Sequence, residues 1–215
     1  PDLPVGRDGA ASVRLPDGWT MLIGGRDDND QELASVVVLA ADGSGWSDLP
    51  SLTGVRTSPA AALLPDGKVL VAGGKTGRSD GTALNTAELW DPATQKWTAL
   101  PPMAHKRTGA AACVLLSGRV AVLGGKGTDG KARKDGEIFD PVKRVWEPLA
   151  AEMVHTHGHI STVAVAGGGL AMGGVPEIPP ELYGEQTRRW LKLPHAMVEP
   201  RDGAGLVSVP VAALT

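Results

Sequence analysis

The chain has 215 residues, 42% hydrophobic and 21% charged, with a net charge of -3. This length fits one large domain or two small ones, and the balance excludes a disordered chain and a strongly basic nucleic-acid binder. No apolar run reaches the length of a membrane helix, and the single cysteine, Cys113, excludes an internal disulfide framework and a Cys-rich zinc site.

One pattern recurs along the chain, at about 7–49, 56–100, 107–149 and 156–193. The first copy opens at Arg7, turns at Pro16-Asp17-Gly18, reaches Gly24-Gly25 and closes on Trp46. The second opens at Arg56 and predicts strands over Ala60 to Leu64, Lys68 to Ala72, Ala87 to Trp90 and Lys96 to Leu100, with Pro65-Asp66-Gly67 as the first turn. The third runs from Arg107 through Gly124-Gly125 and Phe139-Asp140-Pro141 to Trp146. The fourth has Thr156 in the arginine slot, then Gly173-Gly174, Tyr183 and Trp190. The Gly pairs are 49, 51 and 49 residues apart, and an arginine stands 17 residues before each of the first three. In the last three copies an aromatic stands seven residues before the closing Trp. Arg201 opens a fifth copy that stops at Thr215, with a strand expected at about 203–209.

The first two strands of each copy are nearly continuous in Ala, Val and Leu, which suits burial on both faces. No segment has a helical period. Four short antiparallel strands in about 50 residues make one blade of a β-propeller, because such a sheet hides both faces only when blades pack in a ring. The fold class is therefore all-β, one domain over 1–215. Four full four-stranded blades and a partial fifth are expected, with 201–215 as the closure segment. The N-terminal Pro1-Asp2-Leu3-Pro4 resembles Ser47-Asp48-Leu49-Pro50, the tail of an outer strand. The two ends together favour a five-bladed ring. The alternatives are four blades, or a homo-oligomer whose ring is completed between chains.

Arg107-Thr108-Gly109, then Val122-Leu123-Gly124-Gly125, then Phe139-Asp140-Pro141 and Trp146 resemble the kelch repeat, and the match extends over essentially the whole chain. The resemblance implies a kelch-type propeller with Arg7, Arg56, Arg107 and Arg201 near one mouth of the central channel. In some kelch adaptor proteins arginines at this slot grip acidic peptides. Together with His157 they form the candidate ligand site, for an acidic protein segment or an anionic small molecule. The opposing expectation is that each arginine pairs with a nearby acid, such as Asp8 or Asp202.

His155, His157 and His159 alternate, so on a strand they share one face and form a candidate site for Zn, Cu or Fe. Kelch strands commonly read Arg-x-Gly-His here, so the resemblance gives His159 an ordinary structural place. The run Asp27-Asp28-Asn29-Asp30 suits Ca²⁺ or simple solvation, and its counterpart from Lys126 to Lys134 is basic. These loops share one face and differ most between copies, so they are candidates for partner specificity. Cys113 reads as inert core.

The function expected is a non-catalytic binding module without a cofactor, acting on neither membrane nor nucleic acid. The alternative is a metal-dependent enzyme using the histidine run. Kelch-like galactose oxidases need two tyrosines, and this chain has only Tyr183. Kelch-type sialic-acid isomerases hold a carboxylate with arginines, and no residue here selects that sugar.

Overall fold

The computed structural model describes residues 2–77, 81–156, 160–165, 168–173 and 179–194. Every regular element among them is a β-strand. Blade one comprises β1 (Ala11–Arg14), β2 (Thr20–Ile23), β3 (Val36–Leu39) and β4 (Trp46–Leu49). In blade two, β5 (Ala60–Leu63) and β6 (Val69–Ala72) precede a small hairpin, β7 (Lys75–Thr76) and β8 (Thr82–Ala83), before β9 (Ala87–Asp91) and β10 (Lys96–Leu100). Blade three has β11 (Ala111–Val114), β12 (Val120–Leu123), β13 (Gly136–Asp140) and β14 (Val145–Pro148). Blade four has β15 (Ile160–Val165), β16 (Gly168–Gly173), β17 (Glu181–Gly184) and β18 (Arg189–Lys192). Each sheet is an antiparallel meander in chain order, and the first strands β1, β5, β11 and β15 lie side by side. The expected all-β class and four-stranded blades are borne out. The segment 201–215, and with it the closure of the ring, lies outside the described residues.

The core consists of layers between blades. Successive side chains on a strand point to opposite faces, so a buried middle strand serves two layers. Val69 and Val71 of β6 pack with Val13, Met21, Ile23 and Val36 of blade one. Leu70 and Ala72 turn the other way, onto Val120, Val122 and Phe139 of blade three. Ala121 and Leu123 in turn face Tyr183 of blade four. In blades two and three continuous burial thus belongs to the second and third strands: every residue of β6 and β12 is buried, as are the first four of β9 and β13. The expectation for the first strands is corrected. In β5 burial alternates: Ala60 and Ala62 are buried on the layer toward blade three, while Ala61 and Leu63 are only partly covered on the layer toward blade one.

The aromatic rule has a direct cause. Trp90 and Trp97, Phe139 and Trp146, and Tyr183 and Trp190 are directly opposite on neighbouring strands. Their ring centroids are 5.4, 5.0 and 5.3 Å apart. The last Trp of each pair also donates its indole N–H to the chain leaving the preceding blade: Trp97 to Pro50 O at 2.8 Å, Trp146 to Pro101 O at 2.8 Å and Trp190 to Ala151 O at 3.0 Å.

Candidate functional site

The Gly pairs of blades one and two end the second strand where the next blade's arginine segment crosses it. Gly24 and Gly73 have φ of 64° and 66°, and a Cβ on either would lie 2.4 Å from the carbonyl oxygen of Arg56 or Arg107. Only glycine fits so close a crossing in the left-handed region. The second glycine uses the proximity: Gly25 N–H donates to Arg56 O at 3.0 Å, and Gly74 N–H to Arg107 O at 2.9 Å.

The arginine side chains turn back into their own blades. Arg7 donates to Gly24 O at 3.1 Å, Ser35 O at 2.9 Å and Ser35 Oγ at 2.8 Å. Arg56 donates to Gly73 O at 3.1 Å and Thr86 O at 3.3 Å, and pairs with Glu88 at 2.7 Å. Arg107 reaches Gly124 O at 2.8 Å, Asp135 at 3.1 Å and Glu137 at 3.0 Å. Arg56 is 2% exposed and Arg107 0%. Burial lowers the proton affinity of Arg56, and Glu88 opposes it.

The expected arginine site is therefore corrected at these two positions: a buried guanidinium bound to carbonyls and a carboxylate offers no donor to a ligand at the surface. Half-buried Arg7 also turns inward, onto two carbonyls and the Ser35 hydroxyl. Asp8 does not pair with it; its backbone instead bridges Arg26. Arg201 and His157 lie outside the described residues.

The acids that absorb the arginines had a readable signal. Glu88, Glu137 and Glu181 each stand two residues before the inner aromatic. All three are buried, and each also accepts backbone N–H groups from the segment entering its blade: Thr53 on Glu88, Ala104 and His105 on Glu137, Val154 and His155 on Glu181. The third and fourth blades are thus offset by 50 residues here, against 49 between their Gly pairs. The cause is a hairpin one residue shorter in blade four, where Ser161 opposes Met172 while Ala111 opposes Leu123.

His155 is half-buried, with Nδ1 3.0 Å from Glu181 Oε1. Among the described residues no group of three His, Cys, Asp or Glu side chains is arranged to hold a metal. His157 and His159, the other members of the expected triad, lie outside that set. Cys113 is buried, and burial pushes its thiol up to about 11, which removes it as a nucleophile near neutral pH.

His105, which the sequence did not place, stands at a cleft of about 470 Å³ lined also by Asp129, Lys131, Arg133, Asp135 and Glu152. Its Nδ1 lies 2.9 Å from Asp135. Burial pushes the Asp135 carboxyl up, but the Arg133 hydrogen bond and the charges of Arg107 and Arg133 outweigh it and hold the group at about 2. Lys131 and Lys134 are exposed and in no ion pair among the described residues.

The Kelch motif profile matches residues 56–104. An F-box/kelch-repeat protein of Arabidopsis thaliana is 35% identical over 136 residues, covering 61% of this chain and 33% of its own. The kelch repeat-containing protein kel-10 of Caenorhabditis elegans is 28% identical, over 71% of this chain and 26% of its own. The chain spans about a third of the length of the curated relatives it matches. The solved structure of YjhT superposes with a TM-score of 0.74 at 18% identity, covering 93% of this chain and 68% of that one, a likeness of fold. No helix among the described residues is long and apolar enough to cross a membrane.

Proposed function

We propose that this β-propeller, whose residues 56–104 match the Kelch motif, serves as a non-catalytic interaction module whose loop face receives an acidic segment of a protein. One observation carries this reading. The arginines and acids of the repeat in blades two and three are internal, whereas the loops that follow the Gly pairs of blades one and three carry exposed charge. The third loop offers exposed Lys131 and Lys134 beside the His105 cleft. Relatives whose names join kelch repeats to an F-box or a BTB domain support a protein-binding role.

A fluorescent poly-glutamate peptide tests the reading by anisotropy. Lys131→Glu/Lys134→Glu is expected to weaken its binding on the order of tenfold or more, and salt to weaken it similarly. Equal affinity in the variant and the wild type would overturn the reading, and binding of inorganic phosphate but not the peptide would make the ligand a small anion. The rival reading, a metal-dependent enzyme at His155, His157 and His159, requires stoichiometric Zn, Cu or Fe in untagged protein that is lost in His155→Ala/His157→Ala.

A further inference from the structure

The loops after the Gly pairs of blades one and three have the same backbone and opposite charge. In blade one, Asp27 N–H donates to Gln31 O and Asp30 N–H to Asp27 O, both at 2.9 Å. In blade three, Gly127 N–H donates to Lys131 O and Gly130 N–H to Gly127 O, both at 3.0 Å. The fourth residue is left-handed in both, with φ of 62° at Asp30 and 72° at Gly130. Arg26 bridges Asp8 and Glu32, and Lys126 bridges Thr108 and Ala132 in the same manner. On this shared frame residues 26–34 carry four carboxylates and one cation, whereas 126–134 carry four cations and one carboxylate.

Both loops leave the same end of their blades, between the second and third strands. The loop of blade two stands between them: Glu32 accepts hydrogen bonds from Thr76 Oγ1 at 3.0 Å and Gly77 N at 2.8 Å. One face of the molecule thus has an acidic pole and a basic pole separated by one blade. Both poles are tied by hydrogen bonds within the loop. In the acidic loop Asp27 Oδ1 accepts from Asn29 N at 2.9 Å and Gln31 N at 2.8 Å; in the basic one Asp129 Oδ1 accepts from Lys131 N at 3.1 Å. A preformed loop loses little freedom on docking.

We infer that this face is self-complementary and docks on the same face of a second copy of the chain, loop 26–32 of each copy lying on loop 126–134 of the other. A two-fold axis in the plane of contact, crossing blade two at right angles to the line between the poles, sets each pole on its opposite. The charge contact is then made twice, as an isologous pair requires. The inference rests on the reading that the basic loop receives an acidic protein segment, and it names that segment.

Sedimentation velocity of the 215-residue chain tests it. The wild type is expected to associate at about 50 mM salt and to dissociate at about 500 mM, where charges are screened within a few ångströms. Lys131→Glu/Lys134→Glu makes both loops acidic, and Asp28→Lys/Asn29→Lys/Gln31→Lys removes the acidic pole. Each variant alone is expected to be a monomer at about 50 mM salt, and an equimolar mixture of the two to form a heterodimer. A misfolded variant would not re-associate in this way. A wild type that stays monomeric at low salt, or variants that associate as the wild type does, would overturn the inference. A monomer that still binds poly-glutamate through Lys131 and Lys134 would remove the second copy alone and leave the interaction reading in place.

Discussion

At the scale of single residues, burial decides between two uses of a repeated arginine. The same guanidinium that would grip a ligand at a surface becomes, at 0% exposure, a joint between strands. Arg107 joins Gly124 O, Asp135 and Glu137 in one side chain. Arg107→Ala leaves Glu137 buried without its cation, and the expected loss of stability in a urea melt is about 3–5 kcal/mol. Arg107→Lys keeps the charge but replaces a planar fork by a single ammonium, so only part of the stability should return. A loss below about 1 kcal/mol for the alanine variant would show that this joint is ornamental. The arginine slot was legible because its spacing to the Gly pair repeats. Its direction was not, since spacing says nothing about which way a side chain turns. Glu88 and Glu137 would have supplied that answer, being the acids that recur at a fixed place before an aromatic.

At the scale of elements, the blades are held by the cross-strand aromatic pair and by the indole bond to the preceding blade. These two contributions separate in one residue. Trp146→Phe keeps a ring against Phe139, 5.0 Å away, but loses the 2.8 Å bond to Pro101 O. The expected cost is about 1 kcal/mol for the hydrogen bond. Trp146→Ala removes the ring too and should cost about 3–5 kcal/mol, both read from urea melts. If both variants cost the same, the ring contributes nothing beyond its hydrogen bond. Strand pairs were legible from turn residues and a fixed seven-residue interval. The hairpin of β7 and β8 was not, because Lys75 to Ala83 is a polar, glycine-containing stretch with no alternation to announce two short strands. The shortened hairpin of blade four was not legible either, because the spacing between Gly pairs does not show on which side of a turn a residue is missing.

At the scale of the molecule, the blades are joined through the backbone as well as by packing. Ser58 N–H donates to Gly9 O at 2.7 Å, and Gly109 N–H donates to Ser58 O at 2.9 Å. These three residues hold equivalent slots in consecutive blades, and all are left-handed, with φ of 65°, 49° and 64°. With Arg56 O on Gly25 and Arg107 O on Gly74, no blade can open without breaking hydrogen bonds of its neighbours. Repeat arrays with weak interfaces open unit by unit, whereas strong nearest-neighbour coupling makes opening concerted. Hydrogen exchange followed by mass spectrometry distinguishes the two. Amides of β6 and β12 are expected to share one slowest class, set by global unfolding. Those of the outer strands β10 and β14, each paired on one edge only, should exchange about a hundredfold faster or more. The joints predict that Arg107→Ala accelerates β6 and β12 together, although Arg107 lies in blade three. Acceleration confined to β12 would mean that the blades unfold as independent units and that the interblade bonds carry no coupling.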